Sequence, residues 1–169
     1  VIENYNKTNV QVIHNPISNS IKFKSSFSMN DRVRSYLKIQ DGCDYPCTYC
    51  TIPKARGKSR HDTIDNIIKN VNILEKNNIS EVVITGVNIG DYGRTLQNQN
   101  LFKLLKKINK ISSIPRFRIS SIEPNLLTKE IIEFIASNSP FLPHFHIPLQ
   151  SGNDKILKLM KRKYNLKVY

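Results

Sequence analysis

The stretch SYLKIQDGCDYPCTYC, residues 35–50, joins a strand-like run to a loop holding every cysteine of the chain, Cys43, Cys47 and Cys50. Three further β-like runs follow: EVVITG (81–86), RFRISS (116–121) and HFHIPLQ (144–150). Each of the four runs precedes a segment with helical periodicity. After the first, Ile64, Ile67, Ile68, Val71 and Leu74 share one face, with Asp62 as the expected N-cap. After the second, Leu101, Leu104, Leu105, Ile108 and Ile111 do so. LTKEIIEFIAS follows the third, with Thr128 as the expected N-cap, and NDKILKLMKRKY follows the fourth. Strands alternating with helices predict an α/β fold with a parallel sheet. Four such units are too few for a closed eight-stranded barrel of about 250 residues. The expectation is an open sheet, or a partial (β/α) barrel truncated after about four βα units. In either, chemistry sits at the carboxyl ends of the strands, where the cysteines, TGVNIGDYG, SSIEP and PLQSG fall.

The chain of 169 residues, 39% of them apolar, can form a domain with a real core. Residues 1–31 are rich in Asn, Ser and Lys and read as a linker or arm; the folded domain is expected over 32–169. A first residue other than Met and a stop directly after a helical segment predict an excerpt of a longer protein. No run reaches the roughly 20 apolar residues of a membrane-spanning helix, and the N-terminus lacks a signal-peptide layout, which predicts a cytoplasmic location and no membrane partner. Lys and Arg number 26 against 13 Asp and Glu, a formal charge of +13. A polyanion such as nucleic acid is the natural partner; a generally basic surface is the alternative.

Three clustered thiols do not make a disulfide framework, since the number is odd and Cys47 and Cys50 are too close to crosslink distant elements. A redox pair would leave Cys43 over. A structural zinc site wants four ligands, and His61 is the candidate fourth. An iron–sulfur cluster normally takes four thiolates; with three, one iron stays open, and an open position is the mark of a reactive metal site.

CDYPCTYC resembles the cluster motif of radical S-adenosylmethionine (SAM) enzymes. The resemblance implies a radical SAM-type partial barrel and a [4Fe–4S] cluster on Cys43, Cys47 and Cys50, whose open iron binds SAM and cleaves it to a 5′-deoxyadenosyl radical. It also places Tyr49, the residue before the last cysteine, near the adenine. LKIQDGCDYPCTYCTIPKARGKSRH, EVVITGVNIGDYG, RISSIEP, HFHIPLQSGND and LKLMKRKY together are similar to the methylthiotransferases of that superfamily. Within these, TGVN is similar to the branch that methylthiolates N6-threonylcarbamoyladenosine beside the tRNA anticodon. The branches acting on isopentenyl adenosine (GQN) and on a ribosomal protein (AQD) are the alternatives, and a non-catalytic zinc-stabilised RNA-binding module is a further one.

The resemblance assigns Gly86, Asn88, Ser121, Glu123 and Gln150 to the cofactor; Gly86 would give the cofactor access to the backbone. His144 and His146 alternate in an apolar run, so one is expected in the core. Lys54, Arg56, Lys58 and Arg60 stand at alternate positions, which in an extended segment point to one side, toward tRNA phosphates. Gly57 would allow a turn among them. The family also carries a second cluster in an N-terminal domain and a C-terminal RNA-binding barrel, both outside this sequence. The partners it implies are the tRNA anticodon loop and an electron donor such as a flavodoxin or ferredoxin.

Overall fold

A computed structural model describes residues 16–17, 22–29, 34–137 and 139–169. The greater part of the expected arm, 1–15, 18–21 and 30–31, lies outside the described residues.

The backbone of the fold is a four-stranded sheet. β1 (Ser26–Phe27) pairs antiparallel with β2 (Arg34–Lys38), at Ser26 with Lys38 and Phe27 with Leu37. A small antiparallel pair joins β3 (Gln40–Asp41) to β4 (Arg60–His61) and brackets the cysteine loop, in which α1 (Ile52–Arg56) lies. α2 (Ile64–Lys76) leads to β5 (Glu81–Thr85), and α3 (Leu101–Ile111) leads to β6 (Arg116–Ile119). The sheet order is β1-β2-β5-β6, with β2, β5 and β6 parallel, so their carboxyl ends share one edge. α4 (Lys129–Ala136) and α5 (Asp154–Leu159) complete the described elements.

The core follows the two periodicities. Leu37, Val82, Ile84, Phe117 and Ile119 on the strands meet Ile67, Val71 and Leu74 of α2, Leu101, Leu104, Leu105 and Ile108 of α3, and Ile131 and Ile135 of α4. β5, one of the two inner strands, is buried from Glu81 to Ile84, as its continuous apolar run requires. Asn100 caps α3 by accepting from the Lys103 amide.

Four details differ from the expectations. Residues 22–29, read as arm, carry β1, and the Ser25 amide and hydroxyl donate to Asp62. The cap of α2 is Thr63, whose hydroxyl accepts from the Asn66 amide, while Asp62 accepts from the Thr63 amide and the Asn66 side chain. The fourth run, 144–150, contains no strand. The chain does travel beside β6: the Phe117 amide donates to Pro140, the Leu142 amide to Phe117 and the Ile122 amide to His146. Pro140, Pro143 and Pro148 remove the amides a ladder would need, which leaves one bridge between Phe117 and Phe141. With no strand there, the inward–outward alternation lapses, and His144 and His146 are both exposed.

Candidate active site in the cysteine cavity

The shared carboxyl edge of β2, β5 and β6 is closed by the cysteine loop, whose base is built from buried polar contacts. Gln40, fully buried, donates to the carbonyls of Asp41 and Gly42 and to the Ser59 hydroxyl, and accepts from the Asn88 amide at 2.8 Å. One side chain thus ties the start of the loop, its return and the segment after β5. Gly86 makes room for it, since a Cβ there would stand 2.9 Å from the Gln40 amide oxygen. The neighbour that requires this glycine is therefore Gln40, and Gly86 does not line the cavity.

Asp41 gathers three cations, with Lys38 at 3.1 Å, Arg56 at 3.3 Å and Arg60 at 3.0 Å. Burial alone would raise its pKa; hydrogen bonds from Lys38 and the Gly42 amide, with the charges of Lys38 and Arg60, outweigh that and hold the carboxyl below its ordinary value. The resulting stability is complete above the unfolded-state pKa and is lost as pH falls through the lower folded-state value. Asp41→Asn should therefore cost on the order of 1–2 kcal/mol at pH 7. That deficit should shrink below about pH 4. Urea unfolding of both proteins across this range checks it, and a deficit that persists unchanged into acid refutes the ionic account.

The basic residues after the cysteines do not form an extended, one-sided row. Thr51 to Arg56 turns into α1 because Pro53 at its start suits a first helical turn. Arg56 and Arg60 are drawn to Asp41, while Lys54 and Lys58 are exposed.

The three thiols share one cavity of about 80 Å³, lined also by Tyr45, Tyr49, Ile52, Val87, Asn88, Glu123 and Arg162. Burial pushes the Cys43 thiol above its ordinary pKa, against the Tyr45 amide that donates to it at 3.4 Å. Tyr45 is 9% exposed and accepts from the Asn125 side chain at 2.9 Å, whereas Tyr49 is 48% exposed. The Asn88 side chain is buried, with both its oxygen and its nitrogen lacking a protein partner. Glu123 pairs with Arg162.

Of the residues assigned to the cofactor, Tyr49, Asn88 and Glu123 stand at this cavity. Ser121 and Gln150 do not: Ser121 bonds the His146 ring, and Gln150 is exposed with φ 62°. His61, the candidate zinc ligand, faces elsewhere, its Nε2 2.9 Å from the Thr95 hydroxyl. Among the described residues, no three His, Cys, Asp or Glu side chains converge on a single metal ion. The three thiols line this one cavity, and thiolates are the ligands that hold iron–sulfur clusters. Sequence reasoning singled out no role for Arg162, Tyr45 or Gln40. Only the run LKLMKRKY carried a signal for the arginine.

Residues 37–169 match the family described as the Radical SAM superfamily. The chain is 39% identical over 143 residues, 84% of its length and 32% of the relative's, to the threonylcarbamoyladenosine tRNA methylthiotransferase MtaB of Bacillus subtilis. It is 35% identical over 174 residues, 95% of its length and 40% of the relative's, to the tRNA-2-methylthio-N(6)-dimethylallyladenosine synthase of Thermodesulfovibrio yellowstonii. The chain thus spans 32% to 40% of the length of these curated relatives. The structure is similar, with a TM-score of 0.61 and 14% identity, to the radical S-adenosylmethionine methyltransferase TsrM of Kitasatospora setae, covering 79% of this chain and 26% of that one. That likeness is one of fold.

Proposed function

The chain belongs to the Radical SAM superfamily, and from that premise we propose that it is the cluster-bearing domain of a tRNA methylthiotransferase acting on N6-threonylcarbamoyladenosine. One observation carries the reading: all three cysteines of a superfamily member line one cavity at the carboxyl edge of its parallel strands. The named activities of relatives support tRNA as the substrate, and MtaB supports the threonylcarbamoyl branch.

Cys43, Cys47 and Cys50 hold a [4Fe–4S] cluster as thiolates, releasing their protons on binding. When bound, the cluster and SAM supply a carbon-centred radical. The chain's own residues set the stage for it. Asn88 offers an unpaired donor and acceptor to the polar end of the cofactor, and Tyr49 offers a flat exposed face to its adenine. The buried Gln40 network keeps the loop after β5 in register with the cysteine loop. Lys54 and Lys58, exposed after the cysteines, are the cations we assign to RNA phosphates, and an electron donor protein completes the proposed partners. With every cysteine of the sequence in one loop, a second cluster and sulfur insertion require residues outside this chain. Among the described residues no helix is long and apolar enough to cross a membrane, and we place the reaction in the cytoplasm.

The test is to incubate the full polypeptide carrying this domain with SAM, a low-potential reductant and tRNA lacking the modification, then to weigh the digested nucleosides. A methylthio increment on threonylcarbamoyladenosine is expected. An increment on isopentenyl adenosine instead would move the enzyme to the other tRNA branch, and none on either would remove tRNA as substrate.

A further inference from the structure

We infer that Arg162 is a positioning residue that donates a charged hydrogen bond to the Cys47 sulfur and raises the reduction potential of the cluster held there; this rests on the cluster reading above. Arg162 lies past the end of α5, 115 positions from Cys47, yet its Nη1 stands 3.4 Å from the Cys47 sulfur and 3.0 Å from the Tyr49 hydroxyl. Nη2 meets the Glu123 carboxylate, and the guanidinium lies 5.2 Å from the Tyr164 ring centroid. Its side chain is only 5% exposed.

Backbone contacts fix this approach. The Thr48 amide donates to the Met160 carbonyl at 3.3 Å, and the Thr48 hydroxyl to the Leu159 carbonyl at 3.4 Å. The Arg162 amide donates to Leu157 at 2.9 Å. The segment after α5 is thereby fastened to the cysteine loop at the residue after Cys47. A guanidinium stays charged in a protein, and the paired Glu123 carboxylate offsets the cost of burying that charge. Glu123 occupies one nitrogen and leaves the other aimed at sulfur.

The consequence is electrostatic. Adding one electron makes the cluster and its thiolates more negative, so a fixed donor to a ligating sulfur stabilises the reduced form more than the oxidised one. Hydrogen bonds to the sulfurs and local charge are the levers by which a protein sets such potentials. A merely structural Glu123–Arg162 pair would anchor α5 without touching a cysteine.

The test reconstitutes the chain anaerobically with iron and sulfide and titrates it with dithionite, whose dissociated radical anion delivers single electrons, while the paramagnetic resonance signal is followed. Arg162→Gln should lower the reduced-to-oxidised ratio at a fixed potential at least tenfold, a downward shift of about 59 mV for a one-electron couple. Arg162→Lys keeps the charge without the planar fork and should recover part of that. A second measurement needs no folded variant: wild-type protein labelled with ¹⁵N only in arginine should show a nitrogen coupling to the reduced cluster in pulsed resonance. If the cluster loads and neither the coupling nor the shift is found, the role of Arg162 is overturned. Wild-type protein that takes up no cluster overturns the cluster reading instead, so the two failures are distinguishable.

Discussion

Cys47→Ala loses its iron: after anaerobic reconstitution the variant should retain almost none of the about four irons expected per wild-type chain, and the signal of the reduced cluster should vanish. Cys47 is the middle thiol of the cavity and the one Arg162 reaches, so its removal takes away a ligand while the same arginine nitrogen keeps the Tyr49 hydroxyl. It is half-buried in a loop and stands outside the hydrophobic core, so the unfolding midpoint should stay within about 0.5 kcal/mol of wild type. Iron uptake unchanged by the substitution would end the proposed ligand set. A single zinc per wild-type chain, lost in the variant, would make the loop a structural metal site and favour the RNA-binding module.

Gly42→Ala should destabilise the fold by about 3 kcal/mol or more and lower cluster loading with it. Gly42 has φ 71°, a left-handed conformation that costs an L side chain free energy. A Cβ there would also lie 2.1 Å from the Lys58 carbonyl oxygen and 2.7 Å from that of Gly57. Both neighbours are backbone, held because the Cys43 amide donates to Gly57 at 3.1 Å and because β3 pairs with β4. The clash cannot be relieved by a rotamer change; the loop carrying the cysteines must open at its base. Gly152→Ala is the control, since nothing lies within 4 Å of the added Cβ. Urea midpoints of the two variants compared with wild type decide the matter. Equal stability of Gly42→Ala and Gly152→Ala would show that the loop base is loose.

Comparison with the sequence reading separates two kinds of information. Strand-helix alternation, the apolar faces of α2, α3 and α4, and the buried run of β5 were legible because each rests on local periodicity. The fourth run failed as a strand because Pro148 within it and Pro140 and Pro143 just before it interrupt hydrogen bonding, a local signal outweighed in the reading by the apolar pattern. The row of cations after the cysteines failed for another reason. Alternate spacing says where side chains point only if the backbone is extended, and Pro53 starts a helix there.

The sequence by itself determined the α/β alternation, the superfamily motif and the three thiols, since the motif is a short contiguous stretch and periodicity is counted along the chain. Tyr49, Asn88 and Glu123 were assigned from the motifs, but only the tertiary structure brought Tyr45 and Arg162 to those thiols. Arg162 and Cys47 are 115 positions apart and meet because the segment after α5 folds back onto the cysteine loop. Gln40 reaches Asn88 across 48 positions because β2 and β5 run parallel and end at the same edge. Asp41 takes Arg56 and Arg60 out of the basic row because a buried carboxylate needs the nearest cations, and β3 pairing with β4 delivers them. Such partnerships follow from packing and the need to satisfy buried charge, and neither leaves a spacing that can be read along the chain.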